Sequence, residues 1–341
     1  MDSPLVSVII PTYNRAGLIV RSMKSVLAQT YKNLELIVVD DGSRDNTAEL
    51  VKGLADMDKR VRYVYQENRG ACAARNNGID HAFGKFIAFH DSDDVWHADK
   101  LEKQITVLKE SGADLVFGCM RRIENGKFVG LIGNDFREGI CAASELPLGV
   151  GTQTLCADSA IFREERFDEQ MPRLQDFELL LRISKKYKMY YINEPLVDYF
   201  LQEDSISMDP QKLMKAWNII LHKHTDFCER YKESERAFNF LFGILLRADD
   251  IALRKQVGAA VLHLRSSMKL RLKVMLLVKN KNMYKKLSDL HKVIKNKIYS
   301  SGIRDVSDIQ KNINSNRIRG IGGGYNLVLP DASRSPLLEA A

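Results

Sequence analysis

Short apolar and β-branched runs alternate with segments of helical spacing through the first 118 residues. The runs lie at 6–10, 34–39, 61–65 and 85–89, and apolar residues recur at helical spacing over 18–27, 47–54 and 71–82. Strands separated by helix-length segments predict right-handed β-α-β crossovers and a mostly parallel sheet. This part of the chain is therefore predicted to have an α/β fold.

The pattern between residues 119 and 200 is less regular. Glycines at 126, 130, 133 and 139 divide it into short segments that predict a hairpin and loops. The run 159–162 predicts one more strand. Residues 176–186 predict a helix, because Leu179, Leu180 and Ile183 share one face.

After Pro210 the spacing is helical as far as Lys297, and from residue 301 Gly and polar residues dominate. A chain end of that composition is typical of a poorly ordered tail, and the sequence leaves open whether its last part is native. We therefore divide the chain into an α/β domain at 1–209, a basic helical region at 210–300 and a tail at 301–341.

Composition excludes several classes of protein. With 45% hydrophobic and 28% charged residues in 341, the chain is expected to be globular and neither disordered nor collagen-like. Its five cysteines include no C-x-x-C pair, which argues against a zinc ribbon or a disulfide framework and favours a reducing, cytoplasmic setting. We expect no signal peptide and no membrane-spanning helix, because no run of about 18 apolar residues occurs.

The formal charge of +7 is unevenly distributed. Residues 264–300 carry eleven Lys or Arg against the single acid Asp289. Such a segment favours an anionic partner, and Leu276 and its apolar neighbours among the lysines favour a peripheral contact with the inner face of an anionic membrane. A solvated basic helix is the alternative. Only Tyr284 and Tyr299 could stack on bases there and no recognised motif is present, so we expect no nucleic-acid partner.

Polar residues directly follow three of the predicted strands, at 11–14, 40–43 and 90–94. Ligands of an open parallel sheet bind beyond the carboxyl ends of its strands, so these three clusters are expected to meet at one edge. Taken singly, the first two have an equally good interpretation as turns or helix caps.

The third cluster places Asp91, Asp93 and Asp94 within four residues. Three adjacent carboxylates repel one another unless a cation lies among them, and Mg²⁺ or Mn²⁺ with oxygen ligands would supply it and bridge to phosphate. An acidic cap before the helix near Ala98 is the alternative. No P-loop and no G-x-G-x-x-G follows a strand, which argues against P-loop NTPases and dinucleotide enzymes.

Four linked motifs carry a resemblance to a known enzyme family. They are VSVIIPTYN from Val6, VVDDGS from Val38, NRG from Asn68 with ARNNG from Ala74, and DSDD from Asp91. In order and spacing they resemble the family 2 glycosyltransferases of the GT-A fold, over residues 4–205. The resemblance implies a mostly parallel mixed sheet flanked by helices, followed in this chain by an all-helical extension.

The resemblance implies a nucleotide site along the first motifs. Pro11, Thr12 and Tyr13 line the nucleotide, with Tyr13 placed against the base. Asp40 accepts a hydrogen bond from a uracil-type ring, and Arg75 lies near the base or the diphosphate.

The resemblance also implies a metal pair of D-x-D type. Asp93 is the direct ligand of Mn²⁺ or Mg²⁺, and Asp91 lies nearer the ribose or a metal-bound water. Asp94 provides a second register for the pair. We interpret His90 and His97 as structural, because oxygen-only sites suit these metals.

A general base is implied at the start of the helix predicted at 176–186. The family usually has E-D there, and this chain has Gln175 and Asp176, so Asp176 is the expected base. A helix-capping aspartate is the alternative. A second departure follows Tyr199, where related enzymes often have Y-R-x-H-x-x-S and this chain has Phe200 and Gln202 in place of Arg and His.

These residues imply an inverting, metal-dependent transfer of a sugar from a nucleoside diphosphate, UDP by preference, to a hydroxyl of a glycan or lipid-linked acceptor in polysaccharide assembly. A nucleotidyltransferase is disfavoured, because no glycine-rich G-G-x-G-T-R-like loop follows the first strand. A non-catalytic nucleotide-sugar-binding subunit of an assembly complex stays open, because of the departures at Gln175, Phe200 and Gln202.

Overall fold

The computed structural model describes residues 3–134, 136–142, 145, 149–201, 210–231, 235–247, 251–263, 274–275 and 277–278. The chain divides into two compact units, Met1–Ser234 and Glu235–Ala341. The first unit contains the sheet and all the predicted site residues.

Ten strands of the described residues form a single mixed sheet. They are β1 (Val6–Thr12), β2 (Leu34–Asp40), β3 (Val61–Tyr65), β4 (Phe86–Phe89), β5 (Val95–Trp96), β6 (Leu115–Glu124), β7 (Lys127–Ile132), β8 (Gly139–Cys141), β9 (Cys156–Asp158) and β10 (Met189–Phe200). The helices of the same unit are α1 (Ile19–Leu27), α2 (Thr47–Met57), α3 (Ala71–His81), α4 (Lys100–Glu110), α5 (Ser159–Glu164), α6 (Gln175–Ile183), α7 (Pro210–Lys223) and α8 (Phe227–Arg230).

The strand order is β3-β2-β1-β4-β9-β6-β10-β5, with β7 beside β6 and β8 beside β10. The first four strands of that order run parallel, as the β-α-β pattern predicts. β9 is antiparallel to both of its neighbours, which makes the sheet mixed. The predicted α/β class is confirmed.

Helices cover both faces of the sheet, because each buried strand alternates its side chains between two apolar cores. Ile9 belongs to the core that contains residues of α3, α5 and α6. Its neighbours Val8 and Ile10 belong to the core that contains residues of α1, α2 and α4. The three layers leave the carboxyl ends of β1, β2 and β4 as an open edge.

The strand predicted at 159–162 is wrong. These residues begin α5, and the strand β9 lies just before them. The Asp158 side chain accepts a hydrogen bond from the Ala160 N–H at 3.0 Å, so it caps the helix where the apolar run suggested a strand. The hairpin predicted in the preceding region is confirmed as β6–β7, whose Asn125-Gly126 turn has positive φ at both residues, 49° and 73°.

The first unit extends beyond the predicted boundary after residue 209. Trp217 of α7 is fully buried, with its ring centre 5.9 Å from that of Phe177 in α6 and 5.4 Å from that of Phe227 in α8. These aromatic contacts join α7 and α8 to the α/β side of the boundary.

The second unit contains two helices among its described residues, α9 (Glu235–Arg247) and α10 (Ile251–His263). They contact each other, and a side chain at Gly258 would meet Val278 at 2.3 Å. The helical texture predicted after Pro210 is confirmed for the described segments, whereas most of the basic segment and the predicted tail at 301–341 lie outside them. Among the described residues, no helix combines the length and apolar character that crossing a membrane requires.

Two glycines on consecutive helices of the first unit offer a matched test of its packing. A Cβ at Gly78 of α3 would lie 2.4 Å from Ile9 Cγ2, whereas a Cβ at Gly53 of α2 would meet nothing within 4 Å. We expect Gly78→Ala to lower the free energy of unfolding by about 1–3 kcal/mol through overpacking. Gly53→Ala is expected to raise it by about 0.5–1 kcal/mol, because alanine favours the helix. Urea unfolding of both variants checks this, and stabilisation by Gly78→Ala would contradict it.

Candidate functional site

The first two polar clusters meet at the carboxyl ends of β1 and β2. The Asn14 N–H donates to Ser43 Oγ at 3.0 Å, and Asn14 Oδ1 accepts from the Arg44 N–H at 2.8 Å. The Asp41 N–H donates to the Thr12 carbonyl at 2.9 Å. The convergence that the strand pattern predicts is therefore confirmed for these two loops.

Pro11, Thr12 and Tyr13 mark the transition from the core to solvent. Pro11 and Thr12 end β1 and are buried, whereas Tyr13 is 43% exposed just beyond it. Thr12 Oγ1 is buried and has no hydrogen-bond partner among the described residues. An orphan hydroxyl beside an exposed aromatic ring is an arrangement that a bound nucleotide would satisfy.

Asp40 is fully buried at the end of β2, and its side chain stabilises the loop that follows this strand. Its Oδ1 accepts from the Ser43 N–H at 2.8 Å and its Oδ2 accepts from the Tyr63 hydroxyl at 2.8 Å. Burial and the Asp40 carboxylate both raise the pKa of Tyr63 above its ordinary value. Sequence reasoning missed Tyr63, because an aromatic residue inside a strand carries no site signal. The base contact expected of Asp40 stays a prediction.

The acidic loop after β4 separates its three carboxylates. Asp91 and Asp93 lie partly exposed, whereas Asp94 is fully buried. Asp94 Oδ1 accepts from the Phe200 N–H at 2.9 Å and Oδ2 accepts from Gln153 Nε2 at 2.9 Å. Burial, together with the charges of Asp91 and Asp93, raises the pKa of Asp94 well above its ordinary value. Of the two possible D-x-D registers, Asp91 with Asp93 is the one at the surface.

Arg75 of α3 contacts the acidic loop that follows β4. Its Nη2 donates to Asp91 Oδ1 at 2.8 Å, and its side chain is only 5% exposed. The guanidinium carbon lies 5.5 Å from the centre of the Phe167 ring. Nε and Nη1 of Arg75 are buried without a hydrogen-bond partner among the described residues, so the guanidinium has donors left for an anion.

Asp176 lies in the first turn of α6, where the charges of both Arg75 and Asp91 act on it. Burial raises the pKa of Asp176 to about 6, the Arg75 guanidinium lowers it, and the Asp91 carboxylate raises it. The Phe177 N–H donates to Asp176 Oδ1 at 2.7 Å. Leu174, just before the helix, has a φ of 59°, a conformation that leucine rarely adopts and that marks local backbone strain.

A buried charge network fixes α6 beneath Asp176. Glu178 accepts hydrogen bonds from Arg182 Nε at 2.9 Å and from His224 Nε2 at 3.2 Å. Burial alone would raise the pKa of Glu178, but the hydrogen bonds from His224 and Arg182 lower it to about 2. The helix that carries Asp176 is thus anchored to the segment after α7, which sequence analysis assigned to a separate region.

One polar stripe of α1 holds the backbone of the acidic loop. Ser22 Oγ donates to the Asp91 carbonyl at 2.8 Å and Arg21 Nη2 donates to the Asp93 carbonyl at 2.6 Å. Further along α1, Ser25 Oγ accepts from the Trp96 N–H, and just beyond the end of the helix Gln29 Nε2 donates to the His97 carbonyl. Sequence reasoning missed these residues, although polar side chains at helical spacing are a signal that could have found them.

The aromatic and histidine residues around the acidic loop pack against or pair with other side chains of the protein. Trp96 is 3% exposed, His90 lies 4.7 Å from it between ring centres, and Lys100 Nζ lies 3.8 Å above the Trp96 ring. Burial lowers the pKa of Lys100 to about 7 and that of His90 well below its ordinary value. His97 Nε2 pairs with Asp198 at 2.9 Å. These placements agree with the structural interpretation of both histidines.

Cys72 and Cys156 are buried. Burial raises the pKa of Cys72 to about 11 and that of Cys156 to about 12. Both are therefore expected to stay protonated at neutral pH, which disfavours a nucleophilic role.

The donor chemistry of the acidic loop fits a hard divalent cation. Two partly exposed carboxylates, Asp91 and Asp93, lie at the open edge, while the described residues contain no group of three His, Cys, Asp or Glu side chains arranged to hold a metal. Mg²⁺ and Mn²⁺ commonly take one or two protein carboxylates and complete their coordination with phosphate and water. Such an ion would therefore be held here together with a phosphorylated ligand.

Comparison with known proteins identifies the family. The family model described as glycosyl transferase family 2 matches residues 7–169. An Escherichia coli protein, UDP-Glc:alpha-D-GlcNAc-diphosphoundecaprenol beta-1,3-glucosyltransferase WfgD, is 36% identical over 228 residues, which cover 64% of this chain and 87% of that protein. The chain belongs to glycosyltransferase family 2. The resemblance inferred from the four motifs is confirmed.

Three rickettsial relatives are longer than this chain. An uncharacterized glycosyltransferase of Rickettsia conorii is 37% identical over 222 residues, covering 62% of this chain. The chain spans only 30–35% of the length of this protein and its two rickettsial counterparts.

Solved structures confirm the GT-A fold of this family 2 chain. Residues 1–349 of S. aureus TarS in complex with UDP-GlcNAc match with a TM-score of 0.57 at 19% identity, covering 84% of this chain and 91% of that one. The mannosyltransferase PcManGT from Pyrobaculum calidifontis in complex with GDP-Man and Mn²⁺ matches with a TM-score of 0.54 at 18% identity, covering 85% and 80%.

Proposed function

We propose that this family 2 protein transfers a sugar from a UDP-sugar to an acceptor hydroxyl with inversion at the anomeric carbon. The observation that carries the proposal is the meeting of three predicted residues from three separate elements. Arg75 pairs with Asp91 at 2.8 Å, and the charges of both influence the pKa of Asp176. Together these residues would supply a cation for the diphosphate, a carboxylate for the ribose or metal, and a base at one edge of the sheet.

Asp176 would act as the general base. Its pKa of about 6 leaves it ionised at neutral pH, yet raises its proton affinity above that of an ordinary aspartate. It would remove the proton of the acceptor hydroxyl as that oxygen attacks the sugar. A single displacement of this kind inverts the anomeric centre and requires no covalent sugar–enzyme intermediate.

Asp91 and Asp93 would hold Mn²⁺ or Mg²⁺ with the diphosphate, and Arg75 would donate to the nucleotide through the buried N–H groups left without partners. When bound, the ion neutralises the charge that develops on the departing diphosphate. Thr12 and Tyr13 would line the nucleotide, with Asp40 and Tyr63 behind them. The Mn²⁺ in the PcManGT complex supports this choice of metal.

A UDP donor is supported by the UDP-GlcNAc bound to TarS and by the UDP-Glc named for the E. coli relative. The same relative is named for a lipid-diphosphate-linked acceptor, which supports a glycan or lipid-linked acceptor in polysaccharide assembly. The proposed product is an extended surface glycan.

The test is nucleotide release from a panel of UDP-, GDP- and dTDP-sugars with Mn²⁺, and again with the metal removed by EDTA. We expect turnover of one UDP-sugar that depends on the metal. Metal-dependent UDP binding without turnover, in the presence of lipid-diphosphate-linked acceptors, would favour the nucleotide-sugar-binding subunit. Absence of any nucleotide binding would overturn the proposal.

We further propose that residues 264–300, with eleven basic residues against Asp289, contact an anionic membrane at the inner face. We expect the protein to co-sediment with vesicles that contain anionic lipid at low salt, and to be released as the salt concentration rises. Vesicles of neutral lipid are the control. Failure to co-sediment with anionic vesicles at low salt would contradict the contact.

A further inference from the structure

Arg21 lies where the acidic loop and the end of β10 meet. Its Nη2 donates to the Asp93 carbonyl at 2.6 Å, and its guanidinium carbon lies 4.0 Å from the centre of the Phe200 ring. Arg21 belongs to the first turn of α1 and is exposed to solvent. One contact with the acidic loop and one with the end of β10 therefore fix the exposed Arg21 guanidinium at the rim of the proposed site.

The partners of Arg21 are themselves held in place. The Phe200 N–H donates to Asp94 Oδ1 at 2.9 Å, and Ser22 Oγ, next to Arg21 in α1, donates to the Asp91 carbonyl at 2.8 Å. The acidic loop, the end of β10 and α1 thus form one connected framework. Within it the guanidinium is pre-organised, which reduces the entropy that a ligand contact through arginine would lose.

The Arg21 guanidinium contacts the backbone of the acidic loop and none of its carboxylates. Its hydrogen-bond acceptor is a neutral carbonyl, and among the described residues Arg21 forms no ion pair. A guanidinium has five N–H donors, so several stay available in a planar fork that suits phosphate oxygens. The Phe200 ring packs against one face of the guanidinium and contributes no charge of its own.

Resting on the proposed function, we propose that Arg21 binds the terminal, sugar-linked phosphate of the nucleoside diphosphate. Arg75 contacts Asp91 and Arg21 contacts the backbone of Asp93, so the two guanidinium groups flank the residues expected to hold the metal. A fixed cation there stabilises the charge that the diphosphate gains as the sugar leaves. Phe200 is the positioning residue for Arg21.

A purely structural role for Arg21 makes a different prediction. An arginine that only braces the Asp93 carbonyl would affect every ligand of the loop alike. An arginine that binds the terminal phosphate affects UDP and leaves UMP, which lacks that phosphate, almost unchanged. The two nucleotides therefore separate the roles.

The experiment is calorimetric titration of UDP and of UMP in the presence of Mn²⁺, for the parent chain, Arg21→Ala, Arg21→Lys and Phe200→Leu. We expect Arg21→Ala to weaken UDP binding by about 10-fold to 100-fold, the range of a charge-assisted hydrogen bond, and UMP binding by less than about twofold. Arg21→Lys and Phe200→Leu should fall between the parent and Arg21→Ala for UDP. Lys24→Ala removes an exposed charge one turn away on α1 and should leave both affinities unchanged.

Three results would overturn the inference. Equal losses for UDP and UMP would assign Arg21 to loop support, and an unchanged UDP affinity in Arg21→Ala would remove it from the site. An equal loss of UDP affinity in Lys24→Ala would show that the effect comes from the general charge of α1. If the parent binds neither nucleotide, the proposed function itself fails, which is distinct from a parent that binds UDP with the same affinity as Arg21→Ala.

Discussion

Asp176→Asn is expected to slow sugar transfer by at least about 100-fold while making the folded protein more stable at pH 8. Loss of the base should lower kcat by about 10²–10⁴-fold, the usual contribution of general base catalysis. Asparagine keeps the shape of the side chain and can still accept from the Phe177 N–H. UDP affinity should stay close to that of the parent, because no role in nucleotide binding is assigned to Asp176.

The gain in stability follows from the direction of the pKa change. The pKa of Asp176 rises from an ordinary 3.8 to about 6 on folding, so between these values the native state binds more protons than the unfolded state. The free energy of unfolding therefore falls as pH rises from about 4 to 6 and stays lower above that range, by about 2–3 kcal/mol for a change of this size. The uncharged amide of the Asp176→Asn variant avoids this loss, so the difference between parent and variant should be near zero at pH 4 and full at pH 8.

Urea unfolding of both proteins at pH 4, 6 and 8 measures the stability part of this prediction. For the parent, kcat/KM should fall as pH decreases through about 6, because protonation removes the base. A variant whose kcat falls by less than about tenfold, or a parent whose kcat/KM is flat between pH 5 and 8, would reject Asp176 as the base. A variant that is less stable than the parent at pH 8 would contradict a cost of ionising Asp176 in the folded protein.

Asp93→Asn and Asp94→Asn are expected to differ by a factor of about 100 in their effect on activity. Asparagine in place of Asp93 removes an anionic oxygen from the proposed metal pair, and losing several kcal/mol of charge stabilisation lowers kcat/KM about 10²–10³-fold. Asparagine in place of Asp94 keeps an oxygen that can accept from the Phe200 N–H, and Gln153 can turn its amide to match. We expect Asp94→Asn to lose less than about tenfold.

The two variants form an isosteric pair one residue apart, which makes each a control for the other. Steady-state kinetics over a range of Mn²⁺ concentrations should show a raised metal requirement for Asp93→Asn and an unchanged one for Asp94→Asn. The opposite ranking would exchange the two D-x-D registers. Asp94→Leu, which removes both acceptors in a buried position, should destabilise the fold by about 1–3 kcal/mol, because the Phe200 N–H and Gln153 lose their partner.

Most of the fold could be predicted from the sequence, because the patterns that indicate its strands and helices are local. The alternation of β-branched runs with helical spacing in residues 6–89 depends on neighbours a few positions apart, and the parallel half of the sheet forms as predicted. The exception at 159–162 is instructive, because one capping side chain, Asp158, turned an apolar run from strand to helix. The family could be recognised for a related reason, because each of the four motifs is a short run of neighbouring residues.

Contacts between distant residues were decided only by the tertiary structure. The pairing of Arg75 with Asp91, the inward turn of Asp94 and the brace from α1 each join residues 16 or more positions apart, which no local pattern records. The pKa of Asp176 near 6 likewise depends on burial and on charges brought in by other elements. By itself the sequence determined the α/β class, the family and the residue types of the site. The folded chain decided which carboxylates face the open edge, because burial and hydrogen-bond partners become fixed only when separate elements pack together.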